Sequence, residues 1–600
     1  MDTKLTPPWL RQENNLLNPE VTQRLFINQD NIPNLPTEAP QVYLARFLEW
    51  VEPLVSKVKF VKAQAAVQDY LNSKACAQIE TIIAERAQNT HSSWLANWWV
   101  QYAYLTSTGP VSPEVNAPYY LELPTVGWSQ AELAAALSAQ LWHIYQQVQK
   151  RQLTSFSVKD KLFSLDTLQS IFASCQIHRA DGDVYFVNDQ PANFIVVIKN
   201  NVFYKLVIDN SGSLEQLQAQ LQLSFVQILD NELSHPPHWN LLTATTTKAE
   251  SQSLLDQLWA QNPEMLLDIY NSAFIVNLDN VELTTPLQLL RNSTWTPNFN
   301  RWHAKGIQLV ITKNAQLVIL ADHTSFDGSS VATLANIFVS KLQKVNTEGA
   351  SALTPTMLSF PTVDQDKQKY FKQLSKNFKD YVYNAVMFEL KWDWFTKPLI
   401  KAKGIKNSEA FIHLCYQIAQ YQTNKKLQNT YVAVDMRQYF RGRTECLRPL
   451  SKQSVAFVKR YCKDPKGTLK QFRKYYPAIE SLHFEKTRLA QKGSGVNRHL
   501  LGAYLAWNEH QDTIAKPALF ETKAWKTIAA NPLSTSSIVD KYLRNFSFDP
   551  VEPNGIGIAY AIDDTNFRAI LSVYQHNLQY LKDWMKHFEQ TVKTILKTLK

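Results

Sequence analysis

The heptad Asp322-His323-Thr324-Ser325-Phe326-Asp327-Gly328 directly follows a strand-like run, Gln316 to Leu320. A histidine leaving a strand end is held at a fixed point. An acidic residue four positions later can accept a hydrogen bond from one imidazole nitrogen, which sets the tautomer and leaves the other nitrogen to take a proton. The chemistry this pattern offers is general-base catalysis, with His323 as the base and Asp327 as its orienting acid. Gly328 predicts a tight chain reversal after it. Short motifs recur by accident, so the heptad alone is also compatible with a structural histidine satisfied in a turn.

Further candidates follow along the chain. Gly442-Arg443-Thr444-Glu445-Cys446-Leu447-Arg448 lies downstream of Tyr431; Lys397 and Lys401 precede Ser408-Glu409-Ala410-Phe411; Arg498-His499-Leu500-Leu501-Gly502 and Ser534-Thr535-Ser536 come later. Taken singly, each has a plain structural reading. The arginines and lysines fit a solvated surface, Arg498 a helix start, and the hydroxyl triplet a cap or turn.

The elements that must position these residues alternate in period. Leu44, Phe47, Leu48, Val51 and Leu54 recur at three- and four-residue spacing, predicting a helix over Tyr43 to Leu71 after the proline-punctuated Ile32 to Pro40. Phe194 to Lys199 and Val202 to Ile208 flank Asn200-Asn201, and Ile307 to Thr312 and Gln316 to Leu320 flank Lys313-Asn314-Ala315, so both pairs predict hairpins. Helical patterns return at Tyr370 to Phe395 and Glu409 to Gln422. The mixture predicts an α/β protein. At the C-terminus, Leu581, Trp584, Met585, Phe588, Val592 and Leu596 share one side of a basic amphipathic helix. It is read as packed on its own domain in preference to a membrane surface.

With 600 residues, 45% of them hydrophobic, the chain can bury a large core and is long enough for two or three domains. Only 15 glycines occur, and no Gly/Ser or Pro-rich tract separates independent beads. A net charge of +10 is a modest excess at this length and suits many anionic ligands. No dense basic block or nucleic-acid-binding signature accompanies it, so nucleic acid is not an expected partner. Cys76, Cys175, Cys415, Cys446 and Cys462 are scattered, never Cys-x-x-Cys, which fits a reducing compartment. Met1 to Asn15 has no apolar signal core and no run is long enough to span a bilayer, so the expected location is cytoplasmic.

In their order, these segments resemble the choline/carnitine acyltransferase family over nearly the whole chain. The resemblance begins at Ile32-Pro33-Asn34-Leu35-Pro36 and at the tryptophan-rich Trp94-Leu95-Ala96-Asn97-Trp98-Trp99 with Ala103-Tyr104-Leu105. It continues through the His323 heptad, Gly442 to Glu445, Arg498 to Gly502 and Ser534 to Ser536, and ends at Asn554-Gly555-Ile556-Gly557. Agreement of ordered motifs is stronger than any one of them. The resemblance implies two domains of the chloramphenicol acetyltransferase type around a tunnel, with coenzyme A entering one end and an amino alcohol the other. The divisions expected are 1–90, N-terminal helices packing with the C-terminal domain; 91–368, carrying the histidine; and 369–600, with the coenzyme A and carnitine contacts.

The same resemblance implies roles residue by residue. His323 deprotonates the alcohol for attack on an acyl-CoA thioester without an acyl-enzyme; Asp327 orients it; Arg443 pairs with that acid; and Ser536 meets the oxyanion. Tyr431, Thr444, Arg498 and Ser534 match the positions that receive the carboxylate of carnitine, and retention of the threonine and arginine favours carnitine over choline. Lys397 and Lys401 match the pair for the 3′-phosphate of coenzyme A, with Ser408, Glu409 and Ser537 also on the cofactor side. There the chain departs from the family: Ser408-Glu409 stands for a usual Ser-Pro-Asp, Ser537 for a frequent glutamine, and Phe484 for a frequent arginine. Phe546 matches the acyl-length gate, where a bulky ring favours a short acyl group such as acetyl. Coenzyme A is thus a co-substrate, no metal or permanently bound cofactor is implied, and a monomer is expected. The alternatives are a choline or medium-chain acyltransferase, or a catalytically silent CoA-binding homologue.

Overall fold

The computed structural model describes residues 7, 31–88, 93–106, 109, 115–153, 156–158, 161–188 and 190–599. Apart from Pro7, the Met1 to Asn15 segment read above lies outside them. The described chain is α/β and forms two compact units.

The first unit contains Trp99–Ala385 and Ile538–Phe548. Its eight-stranded mixed sheet runs, edge to edge, Thr356–Leu358, Val202–Val207, Phe194–Lys199, Ile275–Leu278, Ile307–Ile311, Leu317–Asp322, Asn116–Leu121 and Leu543–Phe546. Both hairpins form as predicted. Asn200 and Asn201 take φ of 51° and 60°, the left-handed conformation that a tight hairpin turn requires and that asparagine tolerates. Strands such as Phe194–Lys199 and Leu317–Asp322 are buried at every position, which explains their continuous apolar runs.

The second unit contains Pro33–Trp98, Val386–Ser537 and Asp549–Lys600. Its six-stranded sheet runs Ala385–Trp392, Phe567–Tyr574, Ile556–Ile562, Leu533–Ser537, Thr430–Asp435 and Thr444–Leu447. Helices Ser408–Asn424 and Leu578–Thr598 contribute Phe411, Leu414, Ile418, Leu581, Trp584 and Phe588 to one core with Ile558, Tyr560 and Phe567 of the sheet. The C-terminal helix is therefore packed against its own unit, as its pattern implied.

Two helices differ from expectation. Tyr43 to Leu71 is divided into Pro40–Val51 and Lys57–Leu71 by a 3₁₀ turn at Glu52–Leu54, where Pro53 cannot donate to the helical ladder. Tyr370 to Phe395 becomes helix Gln365–Tyr383 followed by strand Ala385–Trp392. In that strand Val386, Phe388, Leu390 and Trp392 all pack on the second unit's core, a period of two. Pro33–Trp98 thus groups with the C-terminal part of the chain, while Ile538–Phe548 groups with Trp99–Ala385. Leu543–Phe546 pairs with Asn116–Leu121 in the first unit's sheet, a long-range strand exchange that carries no local signal. Among the described residues no helix is long and apolar enough to cross a membrane, and all five cysteines are free.

Candidate active site

His323 is the first residue after strand Leu317–Asp322, its own N–H donating to Val115 O at 2.7 Å. Its Nδ1 lies 2.8 Å from the carbonyl oxygen of Phe326 and 3.5 Å from Asp327 Oδ1. A carbonyl can only accept, so Nδ1 carries the proton and Nε2 keeps the lone pair of a base. Asp327, the expected orienting group, thus lies farther from Nδ1 than the Phe326 carbonyl, a backbone atom invisible in a motif. The His323 side chain is 34% exposed, enough for a reactant to reach it, whereas that of Asp327 is buried.

Gly328 does not make the predicted reversal. It opens helix Gly328–Phe338, and a Cβ there would come within 2.4 Å of Ile538 Cδ1 and 3.0 Å of Tyr119 Cε1. The glycine lets Ile538 and Tyr119 pack closely on the helix start, and a Cβ there would make those side chains shift. Behind the histidine, Asp322 is buried, faces Asn116 across the ladder, and accepts from Thr324 N at 2.8 Å. Burial pushes its carboxyl up to about 7. Tyr104, read only as part of the tryptophan-rich segment, places its ring 5.3 Å from that of His323 and 6.1 Å from Trp99. Its type was legible but its position was not, since only the fold brings it to the heptad.

Phe546 also belongs to this unit. It ends strand Leu543–Phe546, pairs with Tyr119 across the ladder, and stacks on its ring at 5.9 Å, with Phe548 at 6.4 Å.

In the second unit the sheet sorts the remaining candidates by face. Ser534 pairs with Tyr431 in parallel register, and Ser536 points the same way two residues on. Thr444 reaches this face from the neighbouring strand. Arg498, at the start of helix Asn497–Glu509, donates from Nη2 to Thr444 Oγ1 at 2.9 Å and Tyr431 Oη at 3.2 Å, and from Nε to Thr444 O at 2.5 Å. The buried guanidinium and the two half-buried residues Tyr431 and Thr444 therefore form one hydrogen-bonded group, and desolvation pushes the Tyr431 phenol up. Glu445 supports it: its carboxylate accepts from Arg498 N at 3.3 Å and Cys446 N at 2.6 Å. Burial raises the Glu445 carboxyl while the Arg498 charge opposes that rise. An acid inside an apolar strand between arginines was the available signal for this residue.

Arg443 is buried at the base of the turn joining strands Thr430–Asp435 and Thr444–Leu447, its carbonyl accepting from Met436 N at 3.0 Å. The turn needs glycine at 442, where a Cβ would sit 1.9 Å from Met436 O.

Thr535 and Ser537 face the other way. Thr535 Oγ1 donates to Tyr431 O at 2.8 Å, tying the two strands. Ser537 pairs with Tyr560, and the hydroxyls of both residues bond the carboxylate of Glu409. His413 Nε2 lies 3.2 Å from the same phenol. Glu409 and Ser537 thus meet, joined by Tyr560 and His413, which the sequence reading did not name. Burial raises the Glu409 carboxyl, with Tyr560, Lys397 and Ser537 opposing. Lys397 and Lys401 are four apart on the short helix Lys397–Ala402, hence on one face, and Ser408 opens the next helix.

The first unit offers a tautomer-fixed imidazole base, and the second a guanidinium held on two hydroxyls, with Ser534 and Ser536 on the strand next to Tyr431. Comparison with known proteins bears on both directly. The profile of the choline/carnitine O-acyltransferase family matches residues 36–594. Carnitine O-acetyltransferase of Rattus norvegicus is 24% identical over 97% of this chain and 95% of its own length. Mitochondrial carnitine O-acetyltransferase of Saccharomyces cerevisiae is 23% identical over 90% of this chain and 83% of its own. Mitochondrial carnitine O-palmitoyltransferase 2 of Xenopus tropicalis is 23% identical over 91% and 89%.

Proposed function

Because this chain belongs to the choline/carnitine O-acyltransferase family, we propose that it transfers a short acyl group, acetyl first, between coenzyme A and the hydroxyl of carnitine, with His323 as general base. The observation that carries the choice of carnitine is the Arg498 guanidinium held against the hydroxyls of Tyr431 and Thr444. Choline has no carboxylate to neutralise it, whereas a carboxylate gains charge-assisted hydrogen bonds there.

In this reading the carnitine hydroxyl gives its proton to Nε2 of His323 as its oxygen attacks the thioester carbonyl. Ser536 donates to the oxyanion of the tetrahedral intermediate, and Ser534 lies toward the carnitine carboxylate. Collapse expels the CoA sulfur, which takes the proton back from Nε2. The proton returns to the leaving group, so no acyl-enzyme is needed. Lys397 and Lys401 take the 3′-phosphate, with Ser408, Glu409 and Ser537 toward the pantetheine arm. The stacked Phe546 and Tyr119 rings support a short acyl pocket.

Thiol release from acetyl-, octanoyl- and palmitoyl-CoA, each with carnitine or choline, tests this. Acetyl-CoA with carnitine is expected to give the highest kcat/KM; preference for choline or for palmitoyl-CoA overturns the corresponding half of the reading.

A further inference from the structure

The turn that carries His323 is braced by a segment far away in the chain. Helix Thr167–Ile171 leads into a hairpin of Ser174–Ile177 and Val184–Val187, on which Tyr185 is buried. The Tyr185 phenol oxygen lies 2.9 Å from Ser170 O, 3.1 Å from Ser174 Oγ and 2.8 Å from Oγ of Ser325, a residue of the heptad itself. A carbonyl can only accept, so the one phenol proton goes to Ser170 O and both serine hydroxyls donate to the phenol oxygen. Burial, with the Asp322 charge adding to it, pushes the phenol up, so it keeps this proton across the neutral range. Ser170, Ser174 and Ser325 are buried too, so these bonds form away from water, where losing one partner strands the other.

Backbone bonds anchor the hairpin beside the histidine as well. Gly306 N donates to Ser174 O at 3.0 Å, and Asp322 N to Gly306 O at 3.0 Å. Beyond the turn, Thr167 Oγ1 lies 3.4 Å from Ser330 Oγ at the start of helix Gly328–Phe338. The same segment thus holds the heptad region on both sides of the Phe326 carbonyl, the acceptor nearest Nδ1 of His323. The Phe326 side chain is fully buried, and the Ser325 hydroxyl, one residue before it, ties the turn to the hairpin.

We propose that Tyr185 is a positioning residue: it holds Ser325 so that the Phe326 carbonyl stays on Nδ1 of His323 and the lone pair stays on Nε2. This rests on the reading of His323 as general base. Tyr185→Phe keeps the ring and removes the bond; Ser325→Ala removes the same bond from the other side. Each is expected to lower kcat about fivefold, the size of one net hydrogen bond, with both KM values within about twofold of wild type. The double variant should be no slower than either single, since only one bond is lost. Tyr185→Phe with Asp327→Ala loosens both acceptors, so its kcat should fall far below the product of the single effects, toward the 10²–10⁴ of a missing base. Wild-type kcat in Tyr185→Phe, or a loss there that Ser325→Ala does not reproduce, overturns the proposal, and a lowered melting temperature alone assigns the phenol to the core. Nitrogen NMR of histidine-labelled protein, with His323 assigned from its loss in His323→Ala, reads the tautomer without turnover. Neutral His323 should carry its proton on Nδ1 in wild type and on both nitrogens in Tyr185→Phe/Asp327→Ala. That shift supports the positioning role even if His323→Ala still transfers acyl groups, and a pure Nδ1–H tautomer in the folded double variant overturns it.

Discussion

Nδ1 of His323 donates to the carbonyl oxygen of Phe326 at 2.8 Å, and the carboxylate of Asp327 lies farther off, at 3.5 Å. The tautomer of the base is therefore set first by backbone. Asp327→Asn leaves the Phe326 carbonyl in place and exchanges the charged second acceptor for a neutral amide, so kcat should fall by about tenfold or less, well short of the 10²–10⁴ typical of a positioned base. A loss as large as that from removing the imidazole would show that the carboxylate is the orienting group.

Arg498→Asn, with or without Thr444→Val, should raise the KM for carnitine far more than that for acetyl-CoA. One hydrogen bond to a charged group contributes about 1.5–3 kcal/mol, roughly 10- to 150-fold. Arg498 also bonds the Thr444 carbonyl, so melting must be followed beside the kinetics. An unchanged carnitine KM in a folded variant would remove the carboxylate site.

Phe546→Gly should improve octanoyl-CoA as a substrate while acetyl transfer changes little, each newly buried methylene contributing about 0.8 kcal/mol. The ring is stacked on Tyr119, so stability should also drop, by about 3–5 kcal/mol for a large-to-small change at a buried aromatic. A folded variant with no gain toward octanoyl-CoA would contradict the gate.

Asp322 predicts a pH effect on stability. Its folded pKa of about 7 lies above the unfolded value, so the folded state binds the extra proton. Its favourable contribution is fully present below the unfolded pKa and is lost as pH rises from about 4 through 7. Asp322→Asn keeps the acceptor for Thr324 N and removes the titration. Its melting temperature should exceed that of wild type at pH 8, with the gap closing toward pH 4. A constant gap across that range would contradict the buried, titrating carboxyl.

Much of this was legible in sequence because its cause is local. The Asn200-Asn201 hairpin follows from turn chemistry, the helix at Ser408–Asn424 from its period, and the His323 heptad from a strand end followed by an acid. Where contacts are distant in the chain the reading failed or was silent. The pairing of Leu543–Phe546 with Asn116–Leu121, the close approach of Tyr119 and Ile538 to Gly328, and the arrival of Tyr104 beside His323 depend on tertiary packing. The Phe326 carbonyl was unreadable for another reason: every residue has one.

The most direct test of the account is CoA-thiol release from acetyl-CoA and carnitine by His323→Ala beside wild type, with melting temperature and CoA affinity measured on the same preparations. The account predicts a fall in kcat of about 10²–10⁴ with melting and CoA binding unchanged. Turnover within about tenfold of wild type in a folded, CoA-binding variant would contradict it.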